Sequence, residues 1–469
     1  MLKPAAPTRS TLLGTSAAIF VIRLLPALAT VAALVWLARR VGPTYYGQYQ
    51  AFWVQWQVLH VVACLGLPTL VLTYPAATLA SLLGAARRRH LAGLLAWWGL
   101  LAGVFAAVQH GAGSPFAAWQ AGAFLLLGVP VAVLDAYALL RRQFGPVALL
   151  SGVYAALFLA AHALLIGGWI GSTGLLNALL LANGLRLGVL GYLARPTGAS
   201  IAAPPLPWPT IRSLWLHTAL NEVVQVLFKW VDKLALSFLL PAALFALYFN
   251  GTIDVPFLPL LLGAAGSGLL LHFSEPQVAD AARIGALRAA GALLGRLVGP
   301  LFFFLVFFRR ELFGVVFAHR YDAAVPLFLV ASLVIPLRAY NFTALLQHKG
   351  QGRTLSTGAV LDLLLALALM YPLYRGLGLA GVALAFVIST YGQAAFYLGH
   401  TARLLAVPWP QLLPWRAWAA QFGGAALALG GLHWLLAQWL PEAAVLGAGA
   451  GLLALWLAGQ VWAARRANT

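Results

Sequence analysis

The chain has 469 residues, of which 62% are hydrophobic and only 8% are charged, and its formal net charge is +19. Soluble proteins carry about 25% charged residues, so the composition excludes a water-soluble domain and predicts a polytopic membrane protein. The basic residues stand in twos and threes between apolar runs, as topology signals do, so we expect no nucleic acid as a partner. Cys64 is the one cysteine, which excludes an intrachain disulfide.

Apolar runs long enough to cross a bilayer follow one another from the N-terminus. Such a helix needs about 20 mostly apolar residues, and charge clusters and Gly/Pro turns divide the chain into about 14 such runs. The pattern predicts an all-α fold. The first run resembles a secretory signal peptide, but the many runs after it favour an uncleaved helix. The predicted spans are roughly 11–37, 49–73, 91–109, 119–140, 146–169, 173–194, 214–239, 243–272, 290–309, 323–346, 355–374, 378–399, 418–437 and 443–463.

Lysine and arginine counts predict the orientation of these spans. One set of connections holds 18 of the 29 positive residues, the other set holds 6, and 5 fall within spans. Positive loops favour the cytoplasmic side, so we expect both termini to be cytoplasmic. The longest polar connection, about 272–290, is predicted to form an interfacial helix.

A weak internal repeat links the first and seventh spans, which end in VGPTYYGQY (41–49) and LLPAALFALY (239–248). Each copy places a proline just past the helix, where it prevents continuation, and a tyrosine at the start of the next span. The two prolines are 198 residues apart, and the second copy has one residue inserted. Internal repeats are common in transporters and place the site where the repeats meet. Chance similarity of two short hairpins is the alternative.

The seventh span carries more charge than a lipid-facing helix can. A charged side chain at mid-bilayer costs roughly 2.5–3.5 kcal/mol on insertion scales. The polar residues recur at three- and four-residue intervals and therefore share one helix face. We interpret them as the wall of a water-filled cavity that contacts substrate, with a salt-bridge ladder as the alternative, favoured for the last two. The stripe comprises Thr218, Glu222, Gln225, Lys229, Asp232 and Lys233.

Three arginines within spans are candidate substrate ligands. Arg23 lies midway along the first span, and a guanidinium binds phosphate through two parallel hydrogen bonds. We predict that Arg23 contacts a pyrophosphate, with an ion pair to Glu222 as the alternative. Arg186 and Arg338 lie nearer the cytoplasmic ends of their spans, where they either bind substrate or extend to the membrane surface.

The second and eighth spans offer neutral and acidic candidates. Trp53, Gln57 and His60 recur at three- and four-residue intervals on the second span; they predict either a sugar-binding face or interhelical packing. Asp254 on the eighth span precedes two prolines, and broken helices often mark transporter sites. We predict that Asp254 or Asp135 carries a coupling H⁺ or Na⁺.

The sequence lacks the common motifs of nucleotide hydrolysis, metal-dependent proteolysis and serine hydrolysis, since it has no GxxxxGK[ST], HExxH, CxxC or GxSxG pattern. We therefore predict that the protein is not an enzyme and has no catalytic residue, metal site or cofactor. An integral-membrane glycan polymerase or ligase is the less favoured alternative, because such enzymes usually need a large outward loop, and none is present.

Four stretches carry a family resemblance: LARRVGPTYYGQYQ (37–50), RRELFGVVFAHRYDAAVPLF (309–328), QHKGQGR (347–353) and YRGLGLAGVALAFVIS (374–389). Together they resemble the oligosaccharide-lipid and polysaccharide flippases, which include the O-antigen flippases. That family belongs to the multidrug/oligosaccharidyl-lipid/polysaccharide flippase superfamily. The sequence departs from the family at Leu240, where a glycine is usual, and at Asp362, where an asparagine is common.

The resemblance implies two pseudo-symmetric six-helix lobes around a central cavity, followed by two extra helices. It implies a flippase in the bacterial inner membrane that moves an undecaprenyl-diphosphate-linked oligosaccharide to the outer leaflet by alternating access. The expected partners are that substrate, membrane lipid and a glycan polymerase or other export components. An ion-coupled multidrug antiporter and a lipid II flippase are the alternatives. The implied divisions are an N-terminal lobe 1–200, a linker 201–212, a C-terminal lobe 213–402 and the extra helices 403–469.

Overall fold

The computed structural model describes residues 9–74, 88–195, 208–253 and 279–466, with isolated positions between 255 and 273; side chains of the first helix are described from Ile22 onward, Arg23 excepted. Those residues form helices joined by turns, and they include no strand. The predicted fold class, an all-α multi-pass membrane protein, is confirmed. The chain divides into two compact units, 1–246 and 247–469.

The first unit contains long helices joined by short turns. Proline at the first helical position starts α2, because its ring already holds the helical φ and its missing N–H would have no partner there. The helices are α1 (Arg9–Arg40), α2 (Pro43–Cys64), α3 (Leu67–Thr73), α4 (Arg88–Gly111), α5 (Ala118–Leu140), α6 (Phe144–Ile166), α7 (Ser172–Leu193), α8 (Trp208–Leu239) and the start of α9 (Ala242–Gly251).

The described part of the second unit holds the remaining helices and three short 3₁₀ turns. Its helices are α10 (Asp280–Phe307), α11 (Arg309–Phe317), α12 (Val325–Ser332), α13 (Ala344–His348), α14 (Gly352–Leu377), α15 (Leu379–Leu404), α16 (Trp415–Leu436) and α17 (Glu442–Arg466).

Nine helices of the described residues are long and apolar enough to cross a membrane, and the bent pair α2–α3 makes a tenth. Two predicted boundaries were wrong. The interfacial helix predicted at about 272–290 is not separate from the next span over residues 280–290, because these described residues form the first turns of α10. The span at 323–346 is broken into α12, a 3₁₀ turn at Ile335–Ala339 and α13. Pro336 lacks an N–H and cannot continue a helical hydrogen-bond ladder. The Asn341 side chain accepts hydrogen bonds from the backbone N–H groups of Thr343 and Ala344, where α13 begins.

The Pro-Tyr hairpin at 43–49 brings two backbones into close contact in the first unit. A Cβ built on Gly47 would lie 1.8 Å from the carbonyl oxygen of Ala242, at the start of α9. Only glycine allows this approach. The α8–α9 hairpin therefore packs directly on α2, and the contact boundary of the first unit falls after α8. The predicted lobe boundaries at 200 and 402 stay predictions.

Candidate functional site

Helix α8 carries the predicted polar stripe, and its members differ in their surroundings. Gln225 and Lys229 are exposed and lie one turn apart, so they share a face. Glu222 is half-buried and accepts a hydrogen bond from the hydroxyl of Thr69 on α3. Lys229 precedes the end of α8 at Leu239 by about 15 Å of helix, taking the rise of 1.5 Å per residue. The exposed cation thus lies well inside the span.

The break between α2 and α3 positions Thr69 beside α8. Leu65 and Gly66 both adopt the left-handed conformation, with φ of 48° and 68°, and the helices bend by 48°. A Cβ on Gly66 would lie 3.0 Å from the backbone nitrogen of Ala219 on α8. The indole N–H of Trp215 donates to the carbonyl of Leu65 at 2.6 Å. The break is therefore held against α8 by backbone contact and by one hydrogen bond.

The last two residues of the stripe pair with each other. Lys233 Nζ lies 3.6 Å from Asp232 Oδ2, and both side chains are buried. The Nζ atoms of Lys229 and Lys233 lie 5.1 and 5.7 Å from the ring centroid of Trp230, within cation–π range. The pair is neutral overall, so Glu222 and Lys229 carry the two remaining charges of the stripe.

The predicted sugar-binding face of α2 lies in an aromatic cluster. The Trp53 ring meets Trp56 edge to face with centroids 5.5 Å apart, and His60 stacks on Trp56 at 4.8 Å. A Cβ on Gly128 of α5 would touch the His60 ring at 3.1 Å. Gln57 is half-buried. These contacts show how Trp53 and His60 pack, and sugar binding by this face stays a prediction.

Arg186 and Asp135 lie together as an ion pair that links α5 and α7. The guanidinium also lies 5.2 Å from the ring centroid of Tyr154 on α6. Both charged side chains are mostly buried, with 14% and 22% exposed. One residue was predicted as a substrate ligand and the other as a coupling carboxylate. The structure joins them, which neutralises both charges inside the first unit.

The remaining candidates lie in the second unit or outside the described residues. Arg338 is exposed at the end of a 3₁₀ turn in the second unit. Asp362 is 1% exposed on α14. The Arg23 side chain and Asp254 lie outside the described residues. Their predicted roles stay predictions.

An uncharged polar cavity of about 590 Å³ lies at one end of the first unit and was not predicted. Gln55 of α2, Gln109 of α4 and Ser237 of α8 line it and are hydrogen-bonded in series. Thr44, Gln48 and Ala51 line it from α2 as well. Together with Gln55 they recur every three or four residues, so this small and polar face was visible in the sequence.

Solved structures of three transporters share this fold over most of the chain. A lipid II flippase, MurJ, in an inward closed conformation matches with a TM-score of 0.67 at 14% identity, over 95% of this chain and 98% of its own. An inward-facing MATE family multidrug resistance transporter of the MOP superfamily matches with a TM-score of 0.56 at 17% identity, over 83% of this chain and 98% of its own. A MOP superfamily transporter from Pyrococcus furiosus matches with a TM-score of 0.53 at 14% identity, over 83% of this chain and 94% of its own. No protein-family model and no curated protein matches the sequence.

The chain therefore has the fold of these MOP superfamily transporters. Within that fold, its similarity extends to both a lipid flippase and multidrug transporters. The O-antigen flippase branch of the superfamily stays a prediction.

Proposed function

We propose that the protein is a transporter, not an enzyme, that flips an undecaprenyl-diphosphate-linked oligosaccharide from the cytoplasmic to the outer leaflet of a bacterial inner membrane. It works by alternating access and serves the synthesis of a cell-surface polysaccharide. The MOP fold and its similarity to a lipid II flippase support the transport of a lipid. The exposed cation Lys229 on α8 supports an anionic headgroup.

Lys229 is the observation that carries the proposal. It is exposed on α8, and among the described residues no carboxylate lies within ion-pair distance of its Nζ. A lysine facing lipid at that depth would cost roughly 2.5–3.5 kcal/mol, so it is best explained by a polar path that holds a negative charge. A diphosphate supplies that charge. A cationic drug would be repelled, which disfavours the multidrug antiporter.

The proposed roles of the other candidates follow from diphosphate binding by Lys229. Arg23 contacts the diphosphate together with Lys229, because a guanidinium binds phosphate oxygens in pairs. Gln225 lies one turn from Lys229 on the same exposed face and hydrogen-bonds the headgroup. Asp254 is the carboxylate proposed for H⁺ or Na⁺ coupling, since Asp135 is paired with Arg186. A lipid II flippase remains the alternative with the same chemistry.

The test follows lipid-linked glycan across the membrane in a strain that lacks this protein and any redundant flippase. A membrane-impermeant glycosidase added to spheroplasts measures the glycan in the outer leaflet. We expect the glycan to accumulate inside, and expression of the parent chain to restore export. Lys229→Met should fail to restore it while Lys229→Arg succeeds, with equal amounts of protein in the membrane.

Two results would contradict the proposal. Normal outer-leaflet glycan in the deletion strain would remove its basis. Altered drug sensitivity with normal glycan export would favour the antiporter instead.

A further inference from the structure

We infer that the uncharged cavity formed by α2, α4 and α8 is a saccharide subsite, separate from the charged stripe, that binds the sugar part of the transported lipid. The inference rests on the proposed function and specifies how its substrate is recognised. It is argued from the position, the chemistry and the hydrogen bonding of the cavity.

The cavity lies at one membrane face of the first unit. Its lining includes the start of α2 at Thr44, the turn after α4 at Gly111–Ser114, and the α8–α9 turn at Leu240. Since α1 runs from Arg9 to Arg40 just before α2 begins, this face is opposite to the N-terminus. By the positive-inside prediction it is the outward face. A headgroup bound there has completed most of its crossing.

The lining chemistry fits hydroxyl groups and not ions. None of the described lining residues is charged, and the polar ones carry amides or hydroxyls. A bound phosphate or metal ion would need an opposite charge to offset its desolvation. Side-chain amides both donate and accept hydrogen bonds, as sugar hydroxyls do. Phe238 also lines the cavity and, with 55% of the residue exposed, offers apolar surface to a sugar ring. A volume of about 590 Å³ is that of a small-ligand site.

The glutamine pair is preorganised for a ligand. Gln109 is 2% exposed and donates to Gln55 Oε1, and Gln55 donates to Ser237 Oγ at 3.0 Å. Ser237 in turn donates to the carbonyl of Leu234. This chain fixes the orientation of both amides. Among the described residues, the Gln109 amide makes that one hydrogen bond, which leaves its carbonyl oxygen and second N–H for a sugar.

The first experiment measures occupancy without transport. Ala112 lines the cavity and Gly171 is exposed outside it, so Ala112→Cys and the control Gly171→Cys report on the two places. The natural Cys64 is buried and gives the background. A membrane-impermeant maleimide labels the cysteine of the purified full chain while a short-chain prenyl diphosphate is present as ligand. One ligand bears a disaccharide and the other lacks it.

We expect the disaccharide-bearing lipid to slow labelling of Ala112→Cys, whereas the bare diphosphate lipid leaves it unchanged and neither lipid affects Gly171→Cys. Equal protection by both lipids would overturn the inference, because the cavity would then recognise the lipid or the diphosphate. Protection by neither lipid would overturn it as well.

The second experiment measures flipping of the same two lipids in proteoliposomes. Gln109→Leu removes one or two hydrogen bonds to the sugar, so the rate for the disaccharide-bearing lipid should fall roughly 2- to 10-fold. The rate for the bare lipid should not change. Equal loss for both lipids would indicate a structural role and overturn the inference. If the parent chain flips neither lipid, the proposed function fails while the labelling experiment still decides whether the cavity binds saccharide.

Discussion

Replacing Gly47 by alanine should destabilise the first unit strongly. The added Cβ would lie 1.8 Å from the Ala242 carbonyl oxygen and 2.5 Å from its carbonyl carbon, whereas ordinary contacts begin at 3.4 Å. Relief therefore requires α2 and the start of α9 to separate by about 1.6 Å. Both clashing atoms belong to a helix backbone, which cannot rotate away as a side chain can. Overpacking costs about 1–3 kcal/mol, and we expect the upper end of that range.

The assay is thermal unfolding of the purified full chain in detergent. A loss of about 3 kcal/mol corresponds to a fall of roughly 6–12 °C in Tm, by the scaling known for domains of 150–250 residues. Gly42→Ala is the matched control, because it lies in the same motif, has an ordinary φ of −65°, and its Cβ would meet nothing within 4 Å. If Gly47→Ala unfolds at the same temperature as Gly42→Ala, the close backbone contact does not exist and the reasoning is refuted.

Two further predictions concern ionic contacts, one in each unit. Arg186→Met leaves the Asp135 carboxylate without its partner inside the first unit and should cost about 3 kcal/mol of unfolding free energy. In the second unit, the hydrogen bond to Asp322 and the charge of Glu442 raise the pKa of His319 above its ordinary 6.5. This contact is complete below pH 6.5 and is lost as pH rises through the higher folded pKa. The protection factors of the amides of residues 318–322, which compare each exchange rate with the intrinsic rate at the same pH, should therefore be higher at pH 6 than at pH 9.

Each of these predictions has its own control. The double variant Arg186→Met with Asp135→Leu should recover most of the stability, because no charge is left unpaired; a double variant as unstable as the single one would rule out the ion pair as the cause. For His319, Asp322→Asn should abolish most of the pH dependence of amide protection at residues 318–322, and Glu442→Gln should abolish a smaller part. If amide protection in Asp322→Asn depends on pH as it does in the parent chain, the histidine contact does not order this turn.

Much of the membrane topology could be predicted from local sequence pattern. The predicted span 119–140 is α5, Ala118–Leu140, within one residue. The agreement has a physical reason: in lipid every backbone N–H and C=O must be bonded within its own helix, so each span is an uninterrupted apolar run that ends at charge, glycine or proline. The span at 323–346 failed because a long apolar run does not reveal that Pro336 and the Asn341 side chain divide it.

The surroundings of the functional candidates could not be predicted from the sequence, because they depend on other helices. The spacing of Trp53 and His60 suggests a binding face, yet contacts with Trp56 and Gly128 place both in a packed cluster. The sequence does not show that Arg186 pairs with Asp135 on another helix, and substrate binding by Arg186 stays a prediction.

The sequence by itself determined the membrane class, the limits of the unbroken spans such as α5 and the charged face of α8, since these follow from composition and from the helical repeat within one segment. Only the tertiary structure decided which charges are neutralised and which remain exposed. It also revealed the cavity, because Gln55 and Gln109 are 54 residues apart and meet only when α2 packs beside α4. Contacts between distant segments carry no local periodicity, which is why the sequence indicated the pairing of the neighbours Asp232 and Lys233 but not that of Asp135 with Arg186.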